Sequence, residues 1–330
     1  AGFAAMAAVR AGPASSWPRA YVNLLKTMIG SGILTLPWAT ARAGLLLSCC
    51  GLLAIAFLTQ EAIRMAVRCV SYVEQSQILG HDAASLIRSS CNDEGTSWQR
   101  ISFAAFGSPG RAVTMASLYL AQLGVAASYF DFCSATLTKR TGLPLGSSMA
   151  TTAAFLSMLS MTPSLRHVAV LSMAGLAAYA YIFVLILYYG FGAPQPAAPP
   201  RLVNFDGLGL WFGPALFAFE GMGTALAIFE SIGELANPRP FFSVIAAAYA
   251  TGVVLYGFVA GWGFLSWRDD VGSVILDSFP DTPLALTAEA ALAVVLAFSF
   301  VLQMTPVFQL SESLLAARAS WWMARLAATL

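Results

Sequence analysis

The stretch Tyr21-Val-Asn-Leu-Leu-Lys-Thr-Met-Ile-Gly-Ser-Gly-Ile-Leu-Thr-Leu-Pro-Trp38 decides the fold. It is apolar enough for lipid, yet Gly30-Ser31-Gly32 stands near its middle and Pro37 close to its end. Each interior glycine costs a helix about 1 kcal/mol relative to alanine, and a proline weakens the hydrogen-bond ladder. The stretch therefore reads as a helix interrupted halfway. The device recurs in Phe219-Glu220-Gly221-Met222-Gly223. Irregular backbone at membrane depth is tolerated only where it is buried in protein or lines a wet cavity.

Composition supplies the bilayer that this reading needs. Of the 330 residues, 58% are hydrophobic and 10% charged, with a mean hydropathy of +0.73. An ordinary soluble domain is about 25% charged, so lipid must cover this surface. The net charge is +1 and the basic residues are scattered, which gives no stripe for nucleic acid. Cys49, Cys50, Cys69, Cys91 and Cys133 lack Cys-x-x-Cys spacing and read mostly as small hydrophobes. Ala1 to Val9 has no basic region before it, so it makes a poor signal peptide and reads as the cut edge of something longer.

A bilayer needs about 20 apolar residues per helix. That ruler finds eight spans, near 20–42, 44–66, 112–137, 144–163, 168–190, 208–234, 241–265 and 283–310, in a single transmembrane domain. The segment 67–111 holds His81, Asp82, Asn92, Asp93, Glu94 and Arg100, and reads as a polar cytoplasmic loop. Gly192 to Pro200 reads as a stiff extended spacer. With the N-terminus in the cytoplasm, Arg10, Arg19, Arg64, Arg68, Arg88, Arg100, Arg111, Arg166, Arg239, Arg318 and Arg325 fall inside. Arg42, Lys139, Arg140, Arg201 and Arg268 fall outside, so the alternation agrees with the positive-inside rule. Gly257 and Gly261, four apart, are expected to let neighbouring helices pack closely.

The two interruptions suit a zwitterion. A half-helix starting near Ile33 points unpaired N–H groups and a positive dipole end into the cavity, where a carboxylate is welcome. A half-helix ending near Phe219 offers carbonyls and a negative end to an ammonium group. An amino acid carries both charges. Paired broken helices in two repeats are the sequence mark of a transporter binding site.

Four stretches resemble the amino acid/auxin permease family. They are Asn23 to Pro37, Ala104-Ala-Phe-Gly-Ser-Pro-Gly-Arg111 with Gln122-Leu-Gly and Tyr129-Phe130, Phe217 to Gly223, and Asn237-Pro-Arg239 with Tyr256-Gly257. The resemblance implies an all-α polytopic membrane helix bundle with a LeuT-like fold, an inverted five-plus-five repeat of eleven helices and alternating access. After Leu310 only Ser311 to Leu330 remains, so the chain is expected to be truncated after the eighth helix, lacking the last three, and to transport poorly alone.

The expected substrate site is Gly30, Ser31, Gly32, Phe219, Glu220, Gly221 and Gly223, with Tyr129 from the third helix. Ser299, Gln303 and Thr305 are further cavity candidates, or helix-packing residues. Glu220 sits at the second break and is the candidate proton-coupling group. Lys26, about 6 Å along the axis from Gly30, and Glu230, about 10 Å beyond Gly223, are expected to pair and close the inner gate, or to snorkel to the interface. His81 and His167 have no partners at ligand spacing, so no metal site and no cofactor are expected; a proton gradient, or alternatively a sodium gradient, would drive transport. No serine, histidine and acid set and no phosphate-cradling loop points to an enzyme. The expected partners are a small amino acid and the bilayer, in a plasma or vacuole-type membrane. The alternative is a non-transporting amino acid sensor or a transporter remnant with an assembly role.

Overall fold

Gly30-Ser31-Gly32 divides the first span into two helices, α1 (Trp17–Met28) and α2 (Gly32–Ala43). Then come α3 (Leu45–Ile78), α4 (Ser97–Thr141), α5 (Leu145–Ser160) and α6 (Leu165–Gly192). The sixth span is likewise two helices, α7 (Leu208–Ala218) and α8 (Met222–Ile232), followed by α9 (Arg239–Trp267) and α10 (Pro283–Leu315). These elements come from a computed structural model that describes residues 16–78, 97–161, 165–193, 199–233 and 237–315. No strand occurs among the described residues, and the chain is a polytopic helical membrane bundle.

Six helical segments among the described residues are long and apolar enough to cross a bilayer: 45–72, 97–141, 175–192, 205–232, 239–270 and 283–301. The two expected spans missing from that set are the first, whose halves have 12 residues each, and α5, which has 16 residues, about 24 Å of helix.

The polar segment expected over 67–111 is largely helical instead. α3 runs on to Ile78 and α4 begins at Ser97, leaving 79–96, with His81, outside the described residues. An apolar ruler locates the lipid, and a helix continues beyond it once its exposed face becomes polar. The side chains of His167 and Thr305, residues 194–198 of the proline-rich spacer and residues 316–330 also lie outside the described residues.

The chain divides into two units. The first, residues 1–115 and 190–278, contains both broken spans. Here α2 packs against α7 and α9, α9 also meets α1 and α3, and α8 meets α1 and α3. Leu24, Leu36, Trp211, Phe219, Phe229, Phe241, Tyr249, Tyr256 and Phe264 are fully buried in its core. The ends of α2 and α3 are tied to the segment before α7: Leu45 N–H donates to the Arg201 carbonyl at 3.0 Å, Asn204 N–H to Ala43 at 2.7 Å, and Asn204 Nδ2 to Arg42 at 2.7 Å. The start of α7 thus lies at the level of the end of α2. It follows that α8 runs back toward the face on which α1 begins.

The second unit, residues 116–189 and 279–330, has an apolar cluster of Ala126, Leu156, Ala297, Phe300, Val301 and Met304. Glu289 of α10 is 4% exposed, and its carboxylate accepts from Lys139 at 3.0 Å and from Arg140 Nε at 2.7 Å. Two cations at the end of α4 therefore neutralise one buried anion.

Close packing of α9 rests on glycines other than those expected. A Cβ on Gly257 would meet nothing within 4 Å, and on Gly261 only Leu45 Cδ1 at 3.6 Å. By contrast a Cβ on Gly252 would stand 2.8 Å from Met28 Cε, and on Gly263 2.7 Å from Pro37. The Gly-x-x-x-Gly spacing was present in the sequence, but the face of α9 that carries it is not the crowded one.

Candidate functional site

The first break comprises Ile29, Gly30 and Ser31. Ile29 ends α1 in extended geometry, its N–H donating to Leu25, and Ser31 precedes α2. The N–H groups of Ile33 and Leu34 turn back to the carbonyls of Gly30 and Ser31, at 3.4 and 3.0 Å. The amides of Gly30, Ser31 and Gly32 have no backbone carbonyl partner among the described residues. These are the orphan donors that a helix start presents to an anion.

The second break comprises Phe219, Glu220 and Gly221. α7 tightens as it ends, Phe219 and Glu220 donating to Leu216 and Phe217 at 3.2 Å each. α8 restarts from Gly221, whose carbonyl accepts from Ala225 N–H at 3.0 Å and Thr224 Oγ1 at 3.1 Å.

The two breaks abut reciprocally. A Cβ placed on Gly32, the first residue of α2, would lie 2.9 Å from the Cα of Ala218, the last residue of α7. A Cβ on Gly221 would lie 3.3 Å from Met28 Cγ and 3.6 Å from Thr27 Oγ1, at the end of α1. The positive end of α2 and the negative end of α7 are thereby brought to one place by side chains too small to separate them. A Cβ on Gly30 would meet nothing within 4 Å.

α9 supports this junction. The Tyr256 hydroxyl donates to the Met28 carbonyl at 2.6 Å, closing one of the acceptors that the end of α1 leaves open. Phe219 lies against both tyrosines of α9, its ring 5.0 Å from Tyr256 edge-on and 5.9 Å from Tyr249 in a stack. Tyr249 is 1% exposed, and its hydroxyl has no hydrogen-bond partner among the described residues. Sequence reading quoted Tyr256 in a motif but assigned it no role. Its signal was a seven-residue spacing from Tyr249, which puts both on one face of a helix.

The remaining expected residues fall as follows. Glu220 and Ser31 are half-buried at the breaks, and Gly223 is exposed in the first turn of α8. Tyr129, Ser299 and Gln303 lie in the second unit, where the Tyr129 ring packs on the apolar cluster of α4, α5 and α10. Glu230, near the end of α8, takes a partner that sequence reading did not name: Arg100 donates to it at 2.7 Å.

The family described as transmembrane amino acid transporter protein matches residues 13–326. Among curated relatives, amino acid transporters AVT3B and AVT3A of Arabidopsis thaliana are each 27% identical over 323 residues, covering 91% and 94% of this chain and 72% and 71% of their own. Vacuolar amino acid transporter 3 of Saccharomyces cerevisiae is 28% identical over 313 residues, 91% of this chain and 42% of its own length. With a match that runs nearly from end to end, the chain belongs to the transmembrane amino acid transporter family.

Proposed function

We propose that this chain carries small neutral amino acids across a membrane by alternating access, with the proton gradient as the driving force. The reciprocal contact of the two breaks carries the reading, because it sets free amide donors of one half-helix beside the carbonyl end of another. A substrate carboxylate is held by the amides of Gly30, Ser31 and Gly32, and its ammonium group by the carbonyls at the end of α7. Both charges are thus met largely by backbone dipoles, which suits a bilayer interior where charged side chains are costly.

Both broken spans lie in one unit of the chain, and alternating access opens their junction to each face in turn. Glu220 at the second break takes the coupling proton, and the Glu230 carboxylate, with Lys26 and Arg100 as its cations, closes the face on which α1 begins. The basic bias of the sequence makes that face cytoplasmic. The name of the yeast relative favours a vacuole-type membrane.

The test is uptake by the full-length protein in liposomes, over a panel of radiolabelled amino acids at two pH values, with and without sodium. Accumulation that follows an imposed pH gradient and ignores sodium supports the reading. Saturable binding without accumulation would mark an amino acid sensor instead.

A further inference from the structure

The start of α4 holds a feature that the two breaks do not use. Gly107 has φ 67° and ψ −154°, a conformation that side chains disfavour, and the helix folds sharply there. Ser102 and Thr114 are twelve residues apart, about 18 Å along a straight helix. Their hydroxyls are nevertheless 2.7 Å apart. Arg111 lies over the Phe103 ring at 5.7 Å, and a Cβ on Gly110 would stand 2.7 Å from the Ser102 carbonyl. Residues 97–106 therefore double back on the helix that follows.

From this folded segment Arg100 reaches Glu230 across 130 residues of sequence, at 2.7 Å, while also donating to Ser97 Oγ at 2.9 Å. Both partners are half-buried, 27% and 17% exposed. Glu230 is eight residues beyond Met222, so the pair lies about 12 Å from the second break, on the side toward which α8 runs.

Taking the alternating-access reading as given, we infer that residues 97–106 form a strap, hinged at Gly107, whose Arg100 clasps Glu230 and holds the inner half of the sixth span closed. Substrate leaving the break toward that face requires α8 to swing away, and the clasp must open first. Arg100 acts through Glu230 and touches no substrate. It is a positioning residue whose release sets how often the inner side opens.

The experiment uses the full-length protein in liposomes, with its native cysteines replaced by serine and Ser31→Cys as reporter. A membrane-impermeant maleimide is added from the strap side, and labelling of the break is timed. Arg100→Gln and Glu230→Gln should each speed labelling about tenfold, and the reversed pair Arg100→Glu/Glu230→Arg should return it toward the parent rate. Gly107→Ala, which strains the hinge but leaves the ion pair's chemistry intact, should speed labelling as well, and this carries the test should Arg100→Gln fail to fold. Labelling that stays at the parent rate in Arg100→Gln, Glu230→Gln and Gly107→Ala overturns the strap alone. A reporter that stays unlabelled from both faces overturns the transport reading, and the strap with it.

Discussion

Gly32 and Ala218 touch backbone to backbone: a methyl group on Gly32 would stand 2.9 Å from the Ala218 Cα. This contact brings the start of α2 against the end of α7, and it leaves no room for a side chain. Gly32→Ala must push the two half-helices apart, at a cost of about 1–3 kcal/mol. Uptake should fall about 5- to 150-fold on that scale. Gly30, two residues away, faces open space, so Gly30→Ala should fold with a melting temperature close to that of the parent. Thermal melts and uptake on both variants check the contrast.

The Tyr256 hydroxyl closes the Met28 carbonyl, and the Tyr249 hydroxyl closes nothing among the described residues. Tyr256→Phe leaves a buried acceptor unsatisfied and should destabilise the protein by about 1–3 kcal/mol. Tyr249→Phe removes a hydroxyl that has no bond to lose and should be neutral or stabilising. The order of the two melting temperatures is the readout, and equal losses would contradict it.

Glu220 stands half-buried at the second break. If it carries the coupling proton, uptake should rise as the substrate side is acidified, since the loaded carboxylic acid is the form that crosses. Glu220→Gln fixes a neutral group there and should flatten that dependence while leaving amino acid exchange measurable. A pH profile identical to the parent's removes Glu220 from coupling.

Glu289 and its two cations should respond unequally to mutation. The carboxylate is 4% exposed, whereas Lys139 and Arg140 are 42% and 29% exposed and close to water. Glu289→Gln frees cations that can turn outward and should cost about 1–2 kcal/mol. The double variant Lys139→Ala/Arg140→Ala strands a buried anion and should cost more, about 3–5 kcal/mol. Denaturant or thermal unfolding of the two ranks them directly.

The lipid-facing architecture was legible because hydropathy and bilayer thickness act on runs of residues. Gly30 and Gly32 showed the first break, and Gly221 and Gly223 the second, because glycine pairs at mid-span have a local cost that sequence displays. What did not show was anything that depends on which face of a helix meets which neighbour. Gly257 and Gly261 had the right spacing for close packing, yet Gly252 and Gly263 take that role, since a rotation of α9 decides it. Arg100 was assigned to a polar loop because its surroundings are hydrophilic, and its partner lies 130 positions away. Glu289 passed unnoticed inside an apolar span, because nothing local marks a carboxylate whose cations come from another helix.

The most direct measurement concerns the two charges of the ligand. In ligand-induced thermal shifts on the purified full-length protein, the amino acid giving the largest shift is compared with its carboxamide, which lacks the carboxylate, and its deamino acid, which lacks the ammonium. Bare amides at one broken helix and bare carbonyls at the other require that both analogues fail, each binding at least about tenfold more weakly. A carboxamide or deamino acid that shifts the protein as strongly as the parent amino acid would contradict the account.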